Sequence, residues 1–150
     1  MALASVTVSA PGWVASLHLS VTAALAGLIW VIQVVHYPLF AAVGPDRFVA
    51  YEQRHRMRIS AVVGPLMAIE GLTALALVAA PPAGRALPIA GLALLGAIHA
   101  STVFLQVPLH TRLSERYDDA AVARLVRTNW IRTAGWTLRT VVATVIVSTA

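Results

Sequence analysis

The side chains able to do chemistry in this chain are few, and most of them stand inside apolar sequence. His18, Thr22, Gln33 and His36 recur at spacings compatible with one face of a helix. His99, Thr102, Gln106 and His110 form a second stripe, Asn129, Arg132, Trp136 and Arg139 a third, and Glu70 with Thr73 a short fourth. Imidazole and carboxylate suit iron, zinc or copper. Glu52-Gln53-Arg54-His55 also has the Glu-x-x-His spacing with which carboxylate-bridged di-iron bundles present one carboxylate beside one imidazole. The expected metal ligands are therefore His36, Glu52, His55 and His110. His36 with His110 offers a second possibility, a haem b held between two imidazoles. The competing reading leaves these histidines solvated or hydrogen-bonded to Gln33, Gln106 or Asn129.

Composition says what kind of scaffold must hold them. Apolar residues make up 59% of the 150 positions and charged ones 11%, against about 45–50% and about 25% in soluble domains. Such a chain cannot cover its surface with polar groups, so its expected solvent is lipid. Spanning helices need about 20 residues each, which allows four spans in one membrane domain covering residues 1–150. With no cysteine, disulfides, thiolate-bound zinc, iron–sulfur clusters and thiol catalysis are excluded. The net charge of +5 does not point to nucleic acid, because the arginines fall at the ends of apolar segments. Phosphate-binding glycine loops, serine nucleophile elbows and HExxH motifs do not occur either.

The apolar stretches predict spans over 13–37, 59–80, 86–107 and 131–148, the second ending at Pro81-Pro82-Ala83-Gly84 and the third near Pro108. The chain's beginning lacks a basic segment and its apolar run is too long for a cleavable leader, so it is read as the first span. Asp118-Asp119 makes a good helix start, and a helix from there to Ser148 would be about 46 Å long, with its first turns beyond the hydrocarbon. Asp46, after Gly44-Pro45, reads as the N-cap of a short interfacial helix ending at Arg58, between the first two spans. Nine arginines lie in or near the first and third connections, and only Arg85 lies in the second. The positive-inside rule then puts those two connections in the cytoplasm of a cell inner membrane, with both termini outside. Trp13 at one edge and Tyr37, Tyr51, Tyr117 and Trp130 at the other fit interfacial belts.

Depth can be counted from the cytoplasmic boundary at 1.5 Å per residue. Glu70, His99 and Arg139 all come out roughly 16–18 Å deep. A lone Glu or Arg there is expensive, whereas a mutual pair partly compensates. Glu70 is therefore expected to pair with Arg139, with His99 close to both. That group serves either to fix helix register or as a catalytic proton relay or substrate anchor.

The strings VVHYPLF, FVAYEQRH, VVGPLMAIEG, QVPLHTRL and NWIRTAGWTLR together resemble small four-helix bacterial membrane proteins, and are distantly similar to the anthrone-oxygenase-like membrane family. The resemblance runs from about Trp13 to Val142; its specific part is Pro108-Leu109 with Leu113, then Asn129-Trp130 and Arg132. It implies oxygenation of a lipophilic aromatic or quinone-like substrate that arrives from the bilayer, and it assigns no catalytic residue, because the histidine-rich rim has no counterpart in the family's pattern. The function expected from these observations is a membrane-embedded metal- or haem-dependent oxidoreductase. The alternative is a non-catalytic accessory subunit or lipid-binding scaffold, and a transporter is a third reading that would require self-association. Expected partners are the bilayer and its anionic lipids, a lipophilic small molecule and a second copy of the chain, but no nucleic acid.

Overall fold

The computed structural model describes residues 10–150, and all of its regular structure is helical. The predicted start of the chain, residues 1–9, lies outside the described residues. Four rods make up the described residues. The first is α1, Gly12–Val31, extended by a wide π turn, Ile32–His36, and a tight 3₁₀ turn, Pro38–Ala42. The second is α2, Pro45–Ala79. The third is α3, Ala86–Ser101, joined through another π turn, Thr102–Gln106, to α4, Val107–Leu113. The last is α5, Asp119–Ser148.

Each boundary has a local cause. Gly44 adopts φ 79°, a backbone state that favours glycine, and Pro45 follows as the first helical residue, where its missing N–H would have been unpaired anyway. The Asp118 carboxylate caps α5 by accepting from the Ala121 amide at 3.0 Å. Asp46 is not a cap; it sits in the first turn of α2, where its charge faces the positive helix end. The short interfacial helix is corrected as well. Residues 45–58 are helical but run without a break into the second apolar stretch, giving one 35-residue helix. That helix passes through Gly64-Pro65, because a proline costs one intrahelical bond but does not oblige the chain to turn. The third rod likewise continues past Pro108 to Leu113. Proline occupies an early position of α4, just after the π turn.

The rods pack as a closed ring in the order α1, α2, α3–α4, α5, with α5 against α1, so α2 and α5 face each other across the diagonal. Apolar side chains cluster at both ends of the interior, around Leu25, Ile29, Phe40, Phe48, Leu113 and Leu125 at one and Val14, Ala15, Leu77 and Ile146 at the other. Between them the interior is polar: His18, Thr22, Gln33, Glu70, Gln106, Asn129, Arg132, Thr133 and Arg139 are all buried. The outside has the reverse character, with Trp13, Leu72, Phe104, Leu138 and Val141 more than half exposed. Three rods, Gly12–Ala42, Pro45–Ala79 and Ala86–Leu113, are long and apolar enough to cross a membrane. α5 is long enough, but Arg132 and Arg139 sit within its apolar half; both are buried against the other rods.

Candidate metal centre

Two polar groups occupy the axis of the bundle, and they differ in how well their atoms are satisfied. The first joins α2 to α5 across the diagonal. Arg139 Nε donates to Glu70 Oε1 at 2.9 Å, Thr22 Oγ1 donates to the same oxygen at 3.0 Å, and Trp136 Nε1 donates to Glu70 Oε2 at 3.1 Å. The rest of the guanidinium donates to the Gly91 carbonyl and lies 3.4 Å from His18 Nε2, while His18 Nδ1 meets Thr73 Oγ1 at 2.8 Å. Both oxygens of this carboxylate are used, and neither charge is left alone in the interior. The expected pair of Glu70 and Arg139 is present.

His99 is not part of it. Its Nδ1 bonds the Leu95 carbonyl of its own helix at 2.9 Å, and His18 occupies the place expected for it. The π turn at Thr102–Gln106 is the reason. An extra residue in one turn rotates everything beyond it by about 100° relative to regular α spacing. The buried positions accordingly run Gly91, Leu95, Ile98, Ser101 and then jump to Gln106, Leu109 and Leu113. His99 precedes the turn and His110 follows it, so the stripe counted along a straight helix divides into two faces.

The second group gathers at the other end, where the π turn of the first rod, the start of α2 and α4 converge. Phe40, fully buried, closes over it 5.2 Å from the His36 ring and 5.3 Å from the His55 ring, and Phe48 packs behind Phe40 at 5.6 Å. Glu52 is fully buried and His55 nearly so. His110 Nδ1 bonds Glu52 Oε1 at 2.5 Å, and His110 Nε2 meets the Tyr37 hydroxyl at 2.9 Å. His36 Nε2 bonds His55 Nδ1 at 2.8 Å. One ligand atom each from Glu52, His55 and His110 lie within 4.8 Å of one another. Glu52 Oε2 and His55 Nε2 are buried without any hydrogen-bond partner.

Those two unpartnered atoms set this group apart from the Glu70 centre. A buried polar atom left unpaired costs about 1–3 kcal/mol, and native interiors contain few of them. An ion between Glu52 and His55 would satisfy both. Donors about 2.0–2.2 Å from a tetrahedral ion stand about 3.3–3.6 Å apart, so a spread of 4.8 Å closes with modest side-chain adjustment. The bond from His36 to His55 is of the kind that orients metal-bound imidazoles: with Nδ1–H donated to His36, His55 Nε2 presents a lone pair. Of the four expected ligands, three converge, and His36 stands behind His55 rather than beside the common point.

A haem between His36 and His110 fits the geometry poorly. The His55 ring stands 4.6 Å from the His36 ring and 5.6 Å from the His110 ring, where a porphyrin would need room.

Tyr37 and His18 were not among the expected site residues. Tyr37 is almost fully buried with its hydroxyl on His110, rather than in an interfacial belt. His18 shares a face with Thr22, which was the available signal. The bonds to Gln33, Gln106 and Asn129 that the competing reading offered the rim histidines do not form. Those amides serve one another and α5 instead, Asn129 Nδ2 donating to Gln33 Oε1 at 2.9 Å and Thr128 Oγ1 to Gln106 Oε1 at 3.2 Å.

Two clefts flank the histidine group. One, of about 540 Å³, lies between α1 and α2; it is walled by Leu28, Val31, Ile59 and Val62, with His36 and His55 at its polar end and Arg54 and Arg58 beside them. The other, of about 170 Å³, lies between α2 and α4 and is reached by His110 and Tyr37. Comparison with family models, with curated proteins and with solved structures returns no match to this chain.

Proposed function

We propose that this chain is a multi-pass protein of the cell inner membrane that works as a metal-dependent oxidoreductase on a lipophilic substrate. The observation that carries the proposal is the pair of buried, unpartnered atoms, Glu52 Oε2 and His55 Nε2, in a cluster completed by His110. Two imidazoles and one carboxylate form the donor set of non-haem iron oxygenases, and that set leaves open coordination positions. Zinc accepts the same donors. Glu52, His55 and His110 would hold the ion, and His36 and Tyr37 would fix the two rings. The metal would supply Lewis acidity or redox chemistry when bound.

The cleft between α1 and α2 supports the choice of substrate. Pockets of about 300–1,000 Å³ hold ordinary small molecules, and this one is apolar along its length and ends at His36 and His55. Phe40 packs against both His36 and His55 at the closed side of the group. The aromatic or quinone-like substrate suggested by the sequence resemblance has the right polarity for it.

Membrane insertion is supported by the apolar exterior and by three rods of spanning length. With the arginine-rich connections in the cytoplasm, the histidine group lies at the cytoplasmic side and both termini face outward. Glu70 and Arg139 would then lie near the midplane. Their complete satisfaction favours a register-fixing pair over a reactive one.

Oxygen uptake is the test. Iron-loaded protein in neutral detergent should consume oxygen when given a lipophilic hydroxyaromatic or quinol, and Val62→Trp, which fills the cleft, should abolish consumption at unchanged iron content. Equal consumption by Val62→Trp, or none with any such compound, would remove the proposal.

A further inference from the structure

The smaller cleft contains a guanidinium with no acidic partner among the described residues. Arg132 is 7% exposed and lines it, together with Arg56, Tyr37, Thr102, Gln106 and His110. The three ion pairs among the described residues are His110–Glu52, Arg112–Asp118 and Arg139–Glu70, so neither Arg132 nor Arg56 has an acidic partner. Arg132 Nη1 donates to Asn129 Oδ1 at 3.2 Å, its Cζ lies 5.2 Å from the Trp136 ring centroid, and the neutral Tyr37 hydroxyl is a further neighbour. Its Nε is enclosed and has no partner at all. Arg56 donates only to Ser114 Oγ, at 2.8 Å.

The contrast with Arg139 is informative. On the same helix, two turns further along, a buried guanidinium receives a carboxylate, a carbonyl and an imidazole. Burying a charge without compensation is costly. At Arg132 no carboxylate among the described residues provides it, while about 170 Å³ of space lies beside the residue. A guanidinium with donors left unpaired is suited to grip a two-oxygen anion side by side.

The geometry points to an anion site in the cleft between α2, α4 and α5, with Arg132 as anchor and Arg56 as second cation, that takes a carboxylate or similar oxyanion head group. Thr102 and Gln106 provide further polar atoms on the α3–α4 side. The anion can belong to a soluble small molecule or to a lipid headgroup, because both offer the same oxygens. The inference goes beyond the metal reading and stands without it, since no residue it relies on as a cation is a metal ligand.

The test is thermal unfolding of the full chain in neutral detergent and anion-poor buffer, titrated with sodium benzoate, with its neutral isostere benzamide, and with phosphatidylglycerol added to the micelles. A ligand that binds only the folded state raises Tm with concentration. Benzoate should raise it saturably and benzamide should not. Arg132→Met should weaken benzoate binding at least about tenfold, the scale of a lost charged hydrogen bond, while unfolding no earlier than wild type without anion, since it removes a buried charge that has no acidic partner among the described residues. His55→Ala should keep the benzoate response, which separates this site from the metal. A response to phosphatidylglycerol alone would identify the anion as a lipid headgroup. Should Arg132→Met fail to accumulate, Arg56→Gln gives the same readout with a smaller, several-fold loss. Equal responses to benzoate and benzamide, no response to benzoate or phosphatidylglycerol, a response that survives Arg132→Met, or one lost in His55→Ala would each overturn the inference.

Discussion

Replacing Glu70 by glutamine changes one atom in a side chain that is wholly enclosed, so its effect reads the Glu70–Arg139 pair with little disturbance of shape. The carboxylate accepts from Thr22, Trp136 and Arg139. All three partners donate. An amide offers only one accepting oxygen, and its NH₂ would face at least one N–H or O–H. Arg139 keeps the Gly91 carbonyl and His18 but loses its counter-charge. Removing one member of a buried pair costs about 3–5 kcal/mol. With an unfolding entropy of about 2.1 cal/mol/K per residue over 150 residues, that becomes a Tm lower by about 10–16 °C. Thermal or denaturant unfolding in one detergent, followed by circular dichroism, measures it. The double variant Glu70→Leu/Arg139→Met removes both charges and should recover much of the loss, since apolar replacements of buried pairs are often neutral. A Glu70→Gln protein within about 1 kcal/mol of wild type would refute the reasoning, because a carboxylate that matters only as a hydrogen-bond acceptor does not hold Arg139 in the interior.

Other perturbations probe separate parts of the account. His36→Ala should lower metal affinity by about 10–100-fold without abolishing binding, as expected for a partner one bond behind a ligand; competition with a chromophoric chelator would show it. Gly135→Ala should destabilise by about 1–3 kcal/mol, because a Cβ there would lie 2.6 Å from Ile98 Cγ1, and pairing it with Ile98→Ala should cancel the clash in an unfolding titration. The amide of Ala121 holds the Asp118 carboxyl below its usual value of 3.8. The cap therefore stabilises α5 fully above that value and loses its effect as pH falls through the lower folded value. Asp118→Asn, which caps without titrating, should flatten that acid limb in amide-exchange measurements at the start of α5.

How much of this could be read from residue order depended on helical phase. His18, Thr22 and Gln33 of the first stripe face inward, with His36 at the edge of the cleft, because polar atoms in an apolar surrounding must find one another, and the same rule brought Asn129, Arg132, Trp136 and Arg139 to the axis. Glu70 and Arg139 were legible because depth along a straight rod is simple arithmetic. His99 was not, because a π turn leaves no mark that hydropathy records and shifts the phase between His99 and His110. The run of α2 through residue 58 was hidden by its charged first half, Arg47 to Arg58, which resembles an independent surface helix although the backbone never breaks. Convergence of Glu52, His55 and His110 followed from their shared end of the bundle. The unpartnered Nε2 of His55 and Nε of Arg132 could not be read in advance, since a missing partner becomes visible only when every neighbour has a position.

Metal content of the purified chain tests the central claim most directly. Protein prepared in mild detergent, or exposed to iron(II), zinc(II) or copper and then desalted, should carry about one transition-metal ion per chain, and His55→Ala, His110→Ala and Glu52→Gln should carry little, while His99→Ala keeps the wild-type content. A wild-type protein that takes up none of these metals, or a His55→Ala variant that retains them in full, would contradict the account.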